Sequence, residues 1–268
     1  MYMIKKIVFS GCSITSGEEL WEEKFVPKYT TMDVYQAGKV HCSATEEEIT
    51  NYNKQFSYPE LIKNQLNIDI ENIAVHGISN KEIAMRTILQ FPNNHYDNTI
   101  AVIQITTHNR ILLNYSKNLI NSAVLQPSHP THFLNTNQNN ILQEFFLEFL
   151  NESLTMTEDY TAILYAVQLL KSKNVPCYLL RISSSKLNQP FLEPHLQSAD
   201  NLVVNEQYPF QLDDIENILL DEFNKFSLCD ESLEEISKLN YLPQWHFSHR
   251  SHELISNYLA EKIKCLHF

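Results

Sequence analysis

Short apolar runs recur along the chain and end in polar or glycine-containing turns. The clearest runs cover residues 4–9, 71–77, 99–106 and 175–182, and a weaker one covers 201–205. Runs of this length, rich in isoleucine and valine, are typical of strands buried on both faces of a parallel sheet. The pattern therefore predicts a central parallel sheet of about five strands.

Stretches with a helical period alternate with these runs. Ser79 is a predicted N-cap for a helix over 79–89, and residues 57–60 and Thr155 with Glu158 have the form of capping boxes. Further helices are predicted over 60–66, 141–150, 159–172, 212–226 and 251–264. Because strands and helices alternate, we predict an α/β fold, a flavodoxin-like three-layer sandwich with helical insertions.

The chain is predicted to form a single domain over residues 1–268. No internal repeat or linker-like segment divides it, and 268 residues with 43% hydrophobic content can bury a large core. Insertions are expected near 19–56, 114–156 and 206–243.

Charge and cysteine content restrict the partners and the compartment. A net charge of −12 argues against nucleic acid or an anionic membrane as a partner, because both repel an acidic protein. The five cysteines are widely spaced without a CxxC pair, which is ordinary for reduced thiols. The first apolar run is too short for a signal peptide. We therefore expect a cytoplasmic protein without membrane association.

Ligands of parallel sheets bind beyond the carboxyl ends of the strands. In this chain the loops predicted at that edge are 10–17, 76–80, 106–110 and 243–251, and they are rich in serine, histidine and asparagine but poor in carboxylates. This selection favours nucleophilic acyl chemistry over chemistry by paired carboxylates. A phosphate-binding P-loop is not expected, because no lysine follows Gly17.

Four sequence blocks resemble those of the SGNH (GDSL-type) hydrolases. "GCSITSG" (11–17) is similar to the first block, Gly-Asp-Ser-x-Thr-x-Gly, and "NIAVHGIS" (72–79) to the second. "VIQITTHN" (102–109) is similar to the third, and "QWHFSHRSH" (244–252) to the fifth, which contains Asp-x-His. The blocks follow the family's order over nearly the whole chain. Three of only four glycines fall at motif positions.

The resemblance implies a role for each motif residue. Ser13 would be the nucleophile, with its hydroxyl exposed at the start of a loop or helix, and His246 would be its general base. The N–H groups of Ser13 and Gly77 and the amide of Asn109 would form the oxyanion hole. The implied activity is that of a serine esterase or acyl hydrolase, including deacetylases and acyltransferases. Its substrate would be a small or carbohydrate-linked ester, and no cofactor is implied.

Two positions depart from the family pattern. Gln244 stands where the family has the aspartate that orients the histidine, and Cys12 replaces the aspartate before the serine. A glutamine oxygen can hold the imidazole of His246 in one tautomer but stabilises imidazolium little. In a comparable serine triad, replacing the aspartate by its amide lowers turnover by a factor of about 10⁴. An impaired domain that binds a ligand or a protein partner is therefore the alternative function.

Each assigned residue also has a simpler interpretation. Ser13 could cap a helix, Asn109 could be a turn residue, and His246 could be an ordinary loop histidine. His246, His249 and His252 are spaced three apart, as zinc ligands on a helix can be. No acidic residue lies between His246 and His252, and the first residues of this stretch are predicted to form a loop. No metal site is therefore predicted.

Overall fold

The computed structural model describes eight stretches of the chain, namely residues 4–18, 20–25, 44–92, 96–106, 111–114, 122–125, 152–181 and 248–267. Some predicted elements lie outside these residues: the strand 201–205, the helices 141–150 and 212–226, and the insertion 206–243.

Most of the apolar runs and helical stretches within the described residues form strands and helices near the predicted places. The run predicted as a buried strand over 71–77 is the exception, because a strand forms only over Asp69–Asn72 and its side chains are exposed or half-buried. The strands are β1 (Lys6–Ser10), β2 (Asp69–Asn72), β3 (Thr99–Ile105), β4 (Ile111–Asn114), β5 (Ser122–Leu125) and β6 (Cys177–Arg181). The helices are α1 (Ser13–Ser16), α2 (Glu22–Phe25), α3 (Glu46–Phe56), α4 (Tyr58–Leu66), α5 (Asn80–Gln90), α6 (Glu152–Ser172) and α7 (His249–His267).

The main sheet has the order β2-β1-β3-β6, and every neighbouring pair is parallel. Phe9 of β1 lies between Asn72 of β2 and Val102 of β3, and Ala101 of β3 lies opposite Cys177 of β6. This is the flavodoxin-like order, so the predicted fold class is confirmed. The order of strands reverses between β1 and β3, which places the ligand-binding crevice of such folds beyond their carboxyl ends.

Both faces of the central strands β1 and β3 are buried, because successive side chains alternate between the faces, whereas the side chains of the edge strand β2 are exposed or half-buried. Ile7 and Phe9 of β1 pack in the cluster that includes Ile255 and Leu259 of α7. Val8, between them, belongs to a second cluster that is formed largely with α5 and α6. The result is the predicted three-layer arrangement.

Both predicted capping boxes are wrong, although their helices exist. The hydroxyl of Ser57 donates to the carbonyl of Lys54 (3.0 Å) and makes no cap hydrogen bond to α4, because Ser57 also ends α3. Thr155 lies inside α6, which already begins at Glu152, so Thr155 is not its N-cap. A capping box does form at Thr45, which accepts from the N–H of Glu48 at the start of α3.

Two features were not predicted. α3 occupies part of the expected insertion 19–56, and β4 and β5 form an antiparallel pair where the sequence shows no clear periodicity. Across the part of the chain covered by the structure, no helix is both long enough and apolar enough to span a bilayer.

Candidate functional site

The predicted nucleophile lies on a tight turn directly after the central strand β1. Cys12 is the N-cap of α1, Ser13 is its first residue, and Gly17 ends it with a φ of 75°. Ser13 is therefore not the cap residue that the simpler interpretation required. Its hydroxyl lies 4.0 Å from the sulfur of Cys12.

The expected exposure of Ser13 is wrong, because this residue is only 5% exposed. The turn is held against the loop that follows β2 and against the strand β3. The carbonyl of Gly11 accepts from the N–H of Val75, and the N–H of Cys12 donates to the side chain of Gln104 on β3. These contacts draw the turn down onto the edge of the sheet.

Gly11 is required by a close approach of side chains. A Cβ atom at this position would lie 2.3 Å from the hydroxyl of Thr15 and 2.9 Å from Cβ of Gln104. Both distances are shorter than any tolerable contact. The glycine therefore lets β1 turn into α1 while Thr15 and Gln104 meet beneath the turn.

Gln104 organises the buried side of this turn. Its amide oxygen accepts from the N–H of Cys12 (3.2 Å), the thiol of Cys12 (3.2 Å) and the hydroxyl of Thr15 (3.0 Å). The thiol thus makes a structural contact where the family pattern has a carboxylate. Gln104 was not predicted from the sequence, because a single polar residue within an apolar strand does not indicate a contact with a distant turn.

The second predicted loop runs alongside the first. The N–H of Val75 bonds to Gly11, and His76 Nδ1 lies 3.1 Å from Glu18 Oε2, which joins the two loops at their outer side. Gly77 has a φ of 72°, a conformation that favours glycine. Among the described residues, apart from its chain neighbours, no atom lies within 4 Å of where its Cβ would be. The described residues therefore leave free space on the side of Gly77 where a Cβ would stand.

The third loop is anchored where it leaves β3. The side-chain oxygen of Asn80 accepts from the N–H of Thr106 (2.9 Å), and its nitrogen donates to the Thr106 carbonyl (3.1 Å) and to Asp159 Oδ2 (2.8 Å). Asn80 and Asp159 are buried and were not predicted. No sequence signal indicates them, because α5 and α6 bring them together. Asn109, three residues beyond Thr106, lies outside the described residues.

The last predicted loop leads into α7. His246 and Gln244 lie outside the residues that the structure describes. His252 is buried, its Nδ1 accepts from the N–H of Tyr58 (3.0 Å), and its ring stacks on Tyr58. The ring of His249 packs on Phe56 with the centroids 4.4 Å apart. Within the described stretches, no group of three histidine, cysteine or acidic side chains is arranged to hold a metal ion.

Comparisons with known proteins find similarity at the level of structure. No protein-family model matches the sequence, and no curated protein matches it. A member of the lipolytic G-D-S-L family from Veillonella parvula is 12% identical with a TM-score of 0.48, and the match covers 96% of this chain and 97% of that one. The psychrotrophic esterase EstA from Pseudoalteromonas sp. is 11% identical with a TM-score of 0.48, covering 98% of both chains.

A family two carbohydrate esterase from Clostridium thermocellum, solved with cellohexaose, is also similar. It is 12% identical with a TM-score of 0.46, and 99% of this chain matches 65% of that protein. The chain therefore spans just under two thirds of the length of this esterase. One of these proteins, the one from Veillonella parvula, is a member of the G-D-S-L family whose sequence blocks this chain resembles. At these identities and TM-scores they transfer no residue role to this chain, whose fold class rests on its own sheet topology.

Proposed function

We propose that this protein is a serine-dependent esterase or acyl hydrolase, with Ser13 as the nucleophile and His246 as its general base. The position of Ser13 supports this proposal most directly. It follows the central strand β1 at the switch in strand order, on a turn held by Gly11 and Gln104. In folds of this kind that edge is where substrates bind.

The proposed reaction has two acyl-transfer steps. Ser13 Oγ attacks the ester carbonyl carbon while His246 takes its proton, and the oxyanion is held by the N–H groups of Ser13 and Gly77 and the amide of Asn109. Collapse of the tetrahedral intermediate expels the alcohol, which His246 protonates. Water then attacks the acyl-enzyme and releases the acid. An alcohol in place of water would make the enzyme an acyltransferase.

The proposed substrate is a small or carbohydrate-linked ester. The free space that the described residues leave at Gly77 supports the approach of a substrate to this loop. Because one similar structure is a carbohydrate esterase, acetylated sugars belong among the substrates to be tested.

An ester panel tests the proposal. Purified protein should hydrolyse nitrophenyl acetate, butyrate or a longer ester, or an acetylated sugar, and turnover should rise with pH as neutral imidazole accumulates. Ser13→Ala and His246→Ala should each abolish turnover. Ser172→Ala, at the exposed end of α6, should leave it unchanged. Equal turnover by wild type and Ser13→Ala would exclude the serine mechanism.

The substitution Gln244→Asp distinguishes an active enzyme from an impaired domain. If the site retains triad geometry, Gln244→Asp should raise kcat by restoring a negative charge opposite the imidazolium, toward the roughly 10⁴ that an aspartate contributes in a comparable triad. The measurement is kcat for wild type and variant on the best ester of the panel. If both are inert on every ester, the alternative function, a domain that binds a ligand or a partner protein, is the better account.

A further inference from the structure

A chain of buried polar contacts lies beneath the Ser13 turn and extends to α7. It consists of Gln104, Thr15, Tyr58 and His252, each at most 1% exposed. A polar group buried this deeply destabilises the fold when it lacks a hydrogen-bond partner. Each contact therefore restrains the two elements that it joins.

The direction of the hydrogen bonds follows from the chemistry of the groups. The amide oxygen of Gln104 can only accept, so the hydroxyl of Thr15 donates to it over 3.0 Å. That hydroxyl has one proton, so the Tyr58 hydroxyl, 2.8 Å away, donates to Thr15. Burial raises the pKa of Tyr58, which keeps this donor protonated at physiological pH. The Ser13 turn, which includes Thr15, is thus joined to α4.

The same tyrosine joins α4 to α7. The backbone N–H of Tyr58 is one of the unpaired donors at the start of a helix, and a donor there is usually satisfied by a local cap. Here Ser57 makes no such bond, and His252, 194 positions away, accepts from this N–H over 3.0 Å. A backbone N–H can only donate, so Nδ1 of His252 carries no proton. The imidazole also stacks on the Tyr58 ring at 5.8 Å.

The residues at both ends of this chain of contacts are close in sequence to predicted site residues. His252 lies six residues after His246, and Gln104 lies five residues before Asn109. We propose that Tyr58 and His252 are positioning residues, which set the Ser13 turn relative to the start of α7 and so to the segment that carries His246. This inference rests on the proposed esterase function and adds Tyr58, which lies outside the four blocks, and a role for His252, the last residue of the fifth block.

Tyr58→Phe removes one hydroxyl and leaves the ring and the backbone N–H in place. If the contact positions Ser13, kcat on an activated ester should fall about tenfold while KM stays within about twofold, because a small displacement of a reacting group weakens the chemical step more than binding. A contact that serves stability alone would lower the free energy of unfolding and leave kcat unchanged.

A matched pair of variants tests His252. Asparagine carries its side-chain oxygen at the same number of bonds from Cα as Nδ1, whereas the glutamine amide reaches the position of Nε2. His252→Asn should therefore retain kcat within about threefold, and His252→Gln should lose about tenfold, as Tyr58→Phe does. The proposal is overturned if Tyr58→Phe and His252→Gln both keep the wild-type kcat while urea denaturation shows a lowered stability.

Amide hydrogen exchange separates this inference from the proposed function. If wild type hydrolyses no ester and resists fluorophosphonate, the esterase proposal fails, and exchange at residues 11–17 then decides the positioning role. Faster exchange there in His252→Gln than in His252→Asn would support coupling between α7 and the turn. Equal exchange in both variants would overturn it.

Discussion

Around Ser13, the side chains that fix the turn are more informative than the nucleophile itself. Three donors from Cys12 and Thr15 converge on one amide oxygen of Gln104. The turn can approach Gln104 this closely only because residue 11 has no side chain. At the residue scale, the position of Ser13 is thus set by a glycine and by a polar side chain from the neighbouring strand.

Gly11→Ala should displace this arrangement. The added methyl group would overlap Thr15 and Gln104, and forcing extra volume into a packed site typically costs 1–3 kcal/mol. We expect the free energy of unfolding in urea to fall by about that amount and turnover to fall with it. Ser172→Ala is the control, since its side chain lies on the exposed end of α6. An unchanged stability of Gly11→Ala would show that the turn relaxes freely.

Some of these residues could be predicted from the sequence and others could not. Ser13 and Gly77 stand in recognisable blocks after predicted strands, and the structure places both at the same edge of the sheet. Gln104, Asn80 and Asp159 act across distances of 26 to 92 residues along the chain. These contacts depend on which strands and helices are neighbours in the fold. The sequence pattern of one segment does not show which segments it will contact.

At the scale of elements, α7 covers one face of the sheet. Ile255, Leu259 and Ile263 recur at helical spacing, are fully buried and belong to the same cluster as Ile7 and Phe9. This apolar stripe is visible in the sequence, which is why α7 was predicted. Burial of such side chains contributes roughly 1.5–3 kcal/mol each and fixes the helix against β1 and β3.

Leu259→Ala tests this packing. Removing the side chain leaves a cavity in the core, and the expected loss is roughly 2–5 kcal/mol in the free energy of unfolding. Glu261→Ala, two residues away on the exposed side of α7, should change it by less than about 0.5 kcal/mol. Urea denaturation of both variants measures the contrast. Comparable losses would mean that α7 is not packed as the structure shows.

The predictions of helix ends were less successful than those of helices, and the reason is local ambiguity. A serine followed three residues later by glutamate occurs at residues 57–60, but Ser57 bonds backward to the end of α3. The start of α4 is satisfied instead by His252 from α7. Ser57 therefore ends α3 and also precedes α4, but its side chain bonds only to α3 and the tertiary fold supplies the hydrogen bond at the start of α4.

At the scale of the whole molecule, the parallel order β2-β1-β3-β6 brings three loops to one edge. The fold follows from apolar periodicity, and the structure confirms it. The loop with Ser13 and the loop with Gly77 are joined by the Val75 and Gly11 backbones, and Asn80 anchors the third where it leaves β3. The roles of His246, Gln244 and Asn109 remain predictions from the sequence blocks.

Reaction with a fluorophosphonate probe tests the central claim, that Ser13 is an activated nucleophile. The probe should modify wild type with one equivalent of label, and peptide mass spectrometry should place that label on Ser13. Labelling should be absent in Ser13→Ala and strongly slowed in His246→Ala, because the serine then lacks its base. A wild-type protein that stays unlabelled, or that carries the label on another residue, would contradict the account.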